Sequence, residues 1–174
     1  SVEASERMKK MIDVARLQGE SLGGTFRVVA TGLVPGLGDF DAGPSRLTSK
    51  LGAALLGIPA IKGVEFGMGF QASRESGSNV HDVITHAGDR GFTRTTNNAG
   101  GLEGGMTTGM PLVITAAMKP IPTLTTPLGT VDIDTMEPTL ASKERSDVCA
   151  VPAAAVVAEA EVAFVLPEAY LQKL

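Results

Sequence analysis

The sequence is poor in the residues from which several kinds of site are built. It holds one cysteine, two histidines, one tyrosine, six phenylalanines and no tryptophan in 174 residues. A single cysteine excludes an internal disulfide framework. Cys149, with only His81 and His86 beside it, is too small a donor set for a Cys/His zinc site, so no metal is expected. So few aromatics argue against a single-strand nucleic-acid platform, which stacks bases on rings. Cationic excess is missing as well: 15 Lys and Arg stand against 19 Asp and Glu, a formal charge of −4. No nucleic-acid partner held by phosphate neutralisation is therefore expected. No apolar run approaches the roughly 20 residues of a membrane span, and nothing at Ser1 has a signal-peptide pattern. The expected address is a reducing cytoplasm, with no membrane partner. Ser1 opens directly into a charged, helix-like segment without an initiator methionine, which suggests a processed chain or a piece of a larger one.

Glycine is abundant: 21 residues of 174, well above the roughly 7% of an average chain. That excess implies many places where the backbone takes positive φ or a ligand approaches it closely. The remaining composition, 43% hydrophobic and 20% charged, is that of one folded domain of ordinary size.

Periodicity divides the chain into a few readable elements. Met8, Met11, Ile12 and Ala15 recur at helical spacing, predicting an amphipathic helix over 5–18 stopped by Gly19. From Thr25 to Leu33 the period becomes two, with Phe26, Val28 and Ala30 on one face of a half-buried strand. Residues 35–44 are a loop by their Pro/Gly punctuation. Leu47, Leu51, Ala54 and Leu55 mark a second helix ending near Gly57. Ile61 to Phe70 reads as a strand interrupted by Gly63, Gly67 and Gly69, and 71–98 as polar and turn-rich. Alternation returns over 111–119, with Leu112, Ile114, Ala116 and Met118 on one face. A short strand is expected at 130–133. Cys149 to Leu166 reads as a buried Ala/Val helix, with Asp147 as its N-cap and Pro167 kinking or ending it. Helices and strands mix without a βαβ repeat, so the expected class is α+β.

Four stretches carry candidate chemistry. Residues 58–67 (IPAIKGVEFG) read, on composition alone, as a bulged edge strand. Residues 97–109 (NNAGGLEGGMTTG) place five glycines within 100–109, bringing no side chains to a core and a large ordering cost. Such a segment is either a flexible linker or a backbone cradle for an anion, and it matches neither the Walker nor the dinucleotide pattern. Residues 119–123 (KPIPT) hold an ammonium and a hydroxyl in a proline-stiffened loop, unless Lys119 is simply a solvated strand end. In 145–153 (RSDVCAVPA), helix capping alone accounts for Asp147, yet Arg145 beside the same terminus suits an anionic ligand. His81, His86 and Cys149 read as solvated or packing residues, and Glu159 and Glu161 as a solvated or inter-subunit face.

In this order and spacing the four stretches resemble bacterial chorismate synthase, and the likeness extends through Leu33–Phe40 and the Gly19–Gly24 turn. The resemblance covers the carboxy-terminal half of the family; its amino-terminal half, with a G-E-S-H-G signature and several phosphate-binding arginines, is absent. Gly19-Glu20-Ser21-Leu22-Gly23 imitates that signature, but Leu22 stands where the histidine would be, so no catalytic role is assigned there. The chain also stops at Leu174, short of the usual family terminus.

The resemblance implies the carboxy-terminal part of a β-α-β sandwich, antiparallel strands packed on long helices, as a single segment 1–174. It implies conversion of 5-enolpyruvylshikimate 3-phosphate to chorismate by 1,4-anti elimination, with reduced FMN and no net redox change, in a cytoplasmic homotetramer. NADP is associated with the family, whose bacterial type usually lacks a flavin reductase of its own. Pro59, Ala60, Gly104, Lys119, Pro120, Ile121, Pro122, Thr123 and Arg145 fall at its FMN-contacting positions. Asp147 falls at an acid–base carboxylate near flavin N5. Pro59 stands where relatives often carry Gln or Asn, leaving only backbone contact, and Thr107-Thr108 replaces a frequent Ser-Asn. The Arg-Ser-Asp corner and the glycine bend are expected to close together round one flavin nucleotide. The competing readings are a non-catalytic flavin- or phosphate-binding module, and an assembly domain that buries the 150–166 helix between subunits.

Overall fold

The computed structural model describes residues 1–173. Its helices are α1 (Val2–Gln18), α2 (Leu47–Gly57), α3 (Gly77–Val80) and α4 (Val151–Lys173). Its strands are β1 (Gly24–Ala30), β2 (Ile61–Phe66), β3 (Ile84–His86), β4 (Phe92–Arg94), β5 (Leu102–Glu103), β6 (Met106–Thr107), β7 (Leu112–Met118), β8 (Gly129–Val131) and β9 (Pro138–Leu140). The central sheet has the order β1-β7-β2 and is antiparallel throughout, as the α+β expectation required. The other strands form three separate two-stranded hairpins.

The sheet's period-two pattern supplies one half of the core. Val28, Leu112, Ile114 and Ala116 are buried, and Val28 sits opposite Ile114 in the register. Leu47, Leu51 and Leu55, one turn apart on α2, are fully buried against them. Ala154, Ala158, Val162, Leu166 and Ala169 form the matching stripe on α4. Small residues at the first two positions let that helix lie close to the sheet. Leu51→Ala is expected to cost about 3–4 kcal/mol, the usual loss when a fully buried leucine leaves a cavity. A fall in the urea midpoint without a change in slope is the check.

Several sequence readings are corrected. Asp147 is not an N-cap: α4 begins at Val151, and the first turn closes by Ala154 N–H donating to the Ala150 carbonyl at 2.9 Å. Pro152, in the first turn, lacks only an N–H that the helix would have left unpaired. Pro167 does not end α4, which continues through it to Lys173. The proline deletes one helical bond, but contacts beyond it hold the last turns. Ala169 is buried, Lys50 reaches Glu168 at 2.8 Å, and Lys173 Nζ donates to the Gly36 carbonyl at 3.2 Å. Nor is α4 buried all round, since Val156, Phe164 and Leu171 are 67%, 79% and 72% exposed.

On α1 only Ala15 is buried, while Met8 and Met11 remain exposed. The helix starts at Val2, earlier than its apolar spacing indicated, with the Ser1 hydroxyl accepting from Ala4 N–H. The strand expected over 61–70 stops at Phe66, and its glycine bulge falls between Ile61 and Gly63. The 130–133 strand shifts to 129–131 and pairs with β9, which carried no alternation to reveal it.

Candidate functional site

Ile58 to Ile61 form a tight turn between α2 and β2, closed by Ile61 N–H donating to the Ile58 carbonyl at 3.2 Å. Pro59 presets the first corner. Ala60 takes the second with φ +69°, a place that type II turns usually reserve for glycine. A left-handed alanine costs roughly 1 kcal/mol or more, and such strain concentrates at functional sites. The Ala60 carbonyl accepts the Lys119 N–H at 2.9 Å, tying this turn to the residue that follows β7.

From Lys119 the chain runs through Pro120 and Pro122, which have fixed φ and no donors. Ser21 Oγ donates to the Ile121 carbonyl at 2.6 Å, and Ser146 Oγ donates to the Thr123 carbonyl at 3.0 Å. The KPIPT loop is thus held at alternate residues by three separate segments. Leu22 N–H donates to the Val148 carbonyl at 2.7 Å, fixing the stretch just after Asp147. Pro59, Lys119, Pro120, Pro122, Arg145 and Asp147 are exposed, and Ala60, Ile121 and Thr123 are half-buried. Among the described residues, neither Lys119 nor Arg145 forms an ion pair. Two uncompensated cations and a carboxylate therefore share one end of the sheet.

Gly104 lies elsewhere. The glycine segment leads into Leu112 and the KPIPT loop leaves from Met118, so the full length of β7 separates them. At about 3.4 Å per residue that is roughly 20 Å. The expectation that the glycine bend and the Arg-Ser-Asp corner close round one hollow within the chain is therefore corrected. Gly104 has φ +59°, and a β-carbon there would meet nothing within 4 Å. It borders β5 and β6, where a cavity of about 780 Å³ is lined by Pro35, Phe92, Arg94, Glu103 and Thr108.

The glycine segment is not a loose linker. Its glycines let main chain pack on main chain: Gly67 N–H donates to the Val113 carbonyl and Val113 N–H to the Gly100 carbonyl, each at 3.0 Å. Arg94, only 12% exposed, makes a two-pronged pair with Glu103 at 2.7 and 3.1 Å and reaches the Thr108 carbonyl at 3.3 Å. Thr107 Oγ1 donates to the Val34 carbonyl at 2.7 Å and accepts the Leu37 N–H at 2.9 Å. Thr108 Oγ1 accepts the Met110 N–H at 3.3 Å, and both threonines are buried, so the side chains at 107 and 108 are built into the fold.

Asp82 escaped the sequence reading, because a lone acid in a polar stretch carries no spacing signature. Its carboxylate accepts the N–H groups of Asn98 and Ala99 at 2.7 and 2.9 Å and the Thr96 hydroxyl. Burial pushes its pKa up, but the Thr96 hydroxyl, the two N–H donors and Arg94 outweigh that and hold it below 3.8. A depressed carboxylate stabilises fully above its unfolded pKa and progressively less as the pH falls through its folded one. Acidification from about pH 7 to about pH 3 is expected to lower the urea midpoint, and Asp82→Asn to reduce that slope. An unaltered slope in the variant removes Asp82 from the acid response.

His81 and His86 are exposed, and His86 meets Phe92 edge-on at 5.3 Å. Cys149 is half-buried and, with Met8, Met11 and Leu22, lines an apolar cavity of about 400 Å³. Among the described residues no His/Cys/Asp/Glu group is arranged to hold a metal. None of the helices there is long and apolar enough to cross a membrane.

The fold and site define an α+β protein that gathers exposed cations on tethered loops at one end of an antiparallel sheet. The family model for chorismate synthase matches residues 1–171. Chorismate synthase of Geobacillus thermodenitrificans is 53% identical over 171 residues, covering 98% of this chain and 44% of its own length. Those of Bacillus licheniformis and Bacillus cereus are 54% identical with the same coverage. A crystal structure of chorismate synthase superposes with a TM-score of 0.82 at 43% identity, over 99% of this chain and 44% of that one. The chain belongs to the chorismate synthase family and spans less than half the length of these relatives.

Proposed function

We propose that this chain supplies the flavin-side part of an enzyme that converts 5-enolpyruvylshikimate 3-phosphate to chorismate. The reaction breaks the ring C–O bond to phosphate and one ring C–H bond, forms a ring C=C bond, and leaves electrons in balance. The supporting observation is the convergence of Pro59-Ala60, Lys119–Thr123 and Arg145–Asp147, joined by main-chain and serine hydrogen bonds. The site suits a bound anion, because its cations have no protein partner among the described residues and its loops are already ordered by tethers.

Reduced FMN, held by these residues, would supply the electron density that makes the allylic phosphate a better leaving group, with no net redox change. Lys119 and Arg145 hold anionic groups of the nucleotide or the substrate. The main chain of Pro59, Ala60 and of Pro120, Ile121, Pro122 and Thr123 shapes the wall. Asp147 takes or relays a proton at its carboxylate. Because Gly104 lies a strand length away, we assign its contact with the nucleotide to a second copy of the chain. That assignment requires at least two copies side by side, as in a homotetramer, for which the exposed apolar residues of α4 offer area to bury. The cytoplasm, where reductants are at hand, is the compartment that this chemistry needs.

The test is chorismate formation by the complete protein, anaerobically, with reduced FMN. Arg145→Ala is expected to weaken FMN binding about ten- to hundred-fold, the loss of one charge-assisted contact. Undiminished binding would favour a site elsewhere on the protein.

A further inference from the structure

The Gly19–Gly24 turn only imitates a catalytic signature, yet it touches two of the candidate motifs at once. Ser21 is only 8% exposed, one of three buried polar residues among those described. Its hydroxyl is used on a main-chain carbonyl 100 residues away, that of Ile121 at the centre of the KPIPT loop. On one side, the Gly19 carbonyl accepts the Thr126 N–H at 3.4 Å; on the other, Leu22 N–H holds Val148. Gly23 packs so closely that an added β-carbon would run into the Met118 carbonyl and come within 2.9 Å of the Pro120 nitrogen. The turn is a bracket between the lysine loop and the Arg-Ser-Asp corner.

We propose that Ser21 is a positioning residue for the flavin site, its hydroxyl fixing the KPIPT loop in the shape that receives the nucleotide. The two prolines leave the loop few ways to hold itself, since neither residue can donate a main-chain bond. Lys119 and Thr123 are anchored at the loop's ends by Ala60 and Ser146, and Ile121 between them depends on Ser21. Without that hydroxyl the Ile121 carbonyl loses its partner at a half-buried position and the peptide plane is free to rotate. The exposed side chains of Lys119 and Pro120 then lose a fixed platform. This inference rests on the flavin reading of the loop.

The experiment compares Ser21→Ala, Ser21→Thr and Leu55→Ala with the parent in the complete protein. Two readouts are taken well below the unfolding transition: the FMN dissociation constant by fluorescence quenching, and hydrogen exchange over 117–126. Ser21→Ala is expected to weaken FMN about ten-fold and to speed exchange over 117–126. Ser21→Thr, which keeps the hydroxyl, returns affinity to within about three-fold. Leu55→Ala, in the core, lowers stability more than either yet leaves FMN affinity and 117–126 exchange near parental values. Parental affinity in folded Ser21→Ala, no recovery in Ser21→Thr, or an equal loss in Leu55→Ala would each overturn the positioning role. If the parent protein binds no FMN, the flavin reading fails by itself. The exchange readout still judges the bracket, which is sunk if Ser21→Ala leaves 117–126 as protected as before.

Discussion

Asp147→Asn is expected to lower turnover by about 10²- to 10⁴-fold, the span usual for one general acid–base group, while FMN affinity stays within about three-fold. The substitution preserves shape and removes the carboxylate's negative charge together with its ability to carry a proton. The surroundings favour a clean result. Asp147 is exposed and caps no helix, since α4 starts at Val151, so replacing it takes nothing from the fold. Its neighbours are held independently, Ser146 by Thr123 and Val148 by Leu22. A structural loss therefore has no route by which to imitate a catalytic one. Anaerobic single turnovers with pre-reduced FMN separate the chemical step from binding. Unchanged turnover takes Asp147 out of the mechanism and leaves the corner a binding surface only.

The largest effect on stability is expected at Gly100. Its φ is +66°, and a β-carbon there would strike the Gly67 nitrogen, lie 2.6 Å from the Gly67 Cα and 2.9 Å from the Val113 carbonyl oxygen. These are main-chain atoms and cannot rotate away. Gly100→Ala must push apart Gly67 and Gly100, where two hydrogen bonds to Val113 hold the end of the central strand. A loss above about 4 kcal/mol is expected, in the exceptional range for a point change. Gly104→Ala is the internal control. The left-handed strain is similar but there is open space, so the cost is about 1 kcal/mol. Parallel denaturation curves test the difference. Equal losses at the two positions would mean that conformation rather than crowding governs this segment.

The elements that were legible in the sequence are those whose burial follows a period. Leu47, Leu51 and Leu55 announce α2 because one turn of helix returns each to the same core. The alternation through Leu112, Ile114 and Ala116 announces β7 because one face is buried and the other is not. What stayed hidden depends on contacts distant in the sequence. Pro167 reads as a kink or an end until Lys50 and Gly36 are seen to hold the turns beyond it. β9 is short and exposed on all three residues, so no pattern marks it.

The site divides in the same way. The KPIPT and RSDV segments are conspicuous through their prolines and charges, and the structure brings them together. Ser21 is a common residue in a turn whose sequence imitates a catalytic signature, and only its 100-residue reach shows its use. The glycine run is ambiguous in the sequence for a different reason. Glycines contribute no side chains to a core, but they let two main chains approach where side chains would keep them apart, and no sequence pattern distinguishes that from a flexible loop.

A crystal structure of the complete protein with FMN bound tests the central claim most directly. The account predicts the nucleotide against Lys119–Thr123, Ala60 and Arg145 of one chain, with Asp147 beside the flavin ring and any contact from Gly104 contributed by another copy. A flavin found instead in the hollow between Pro35, Phe92 and Thr108, with the Arg-Ser-Asp corner bare, would contradict it.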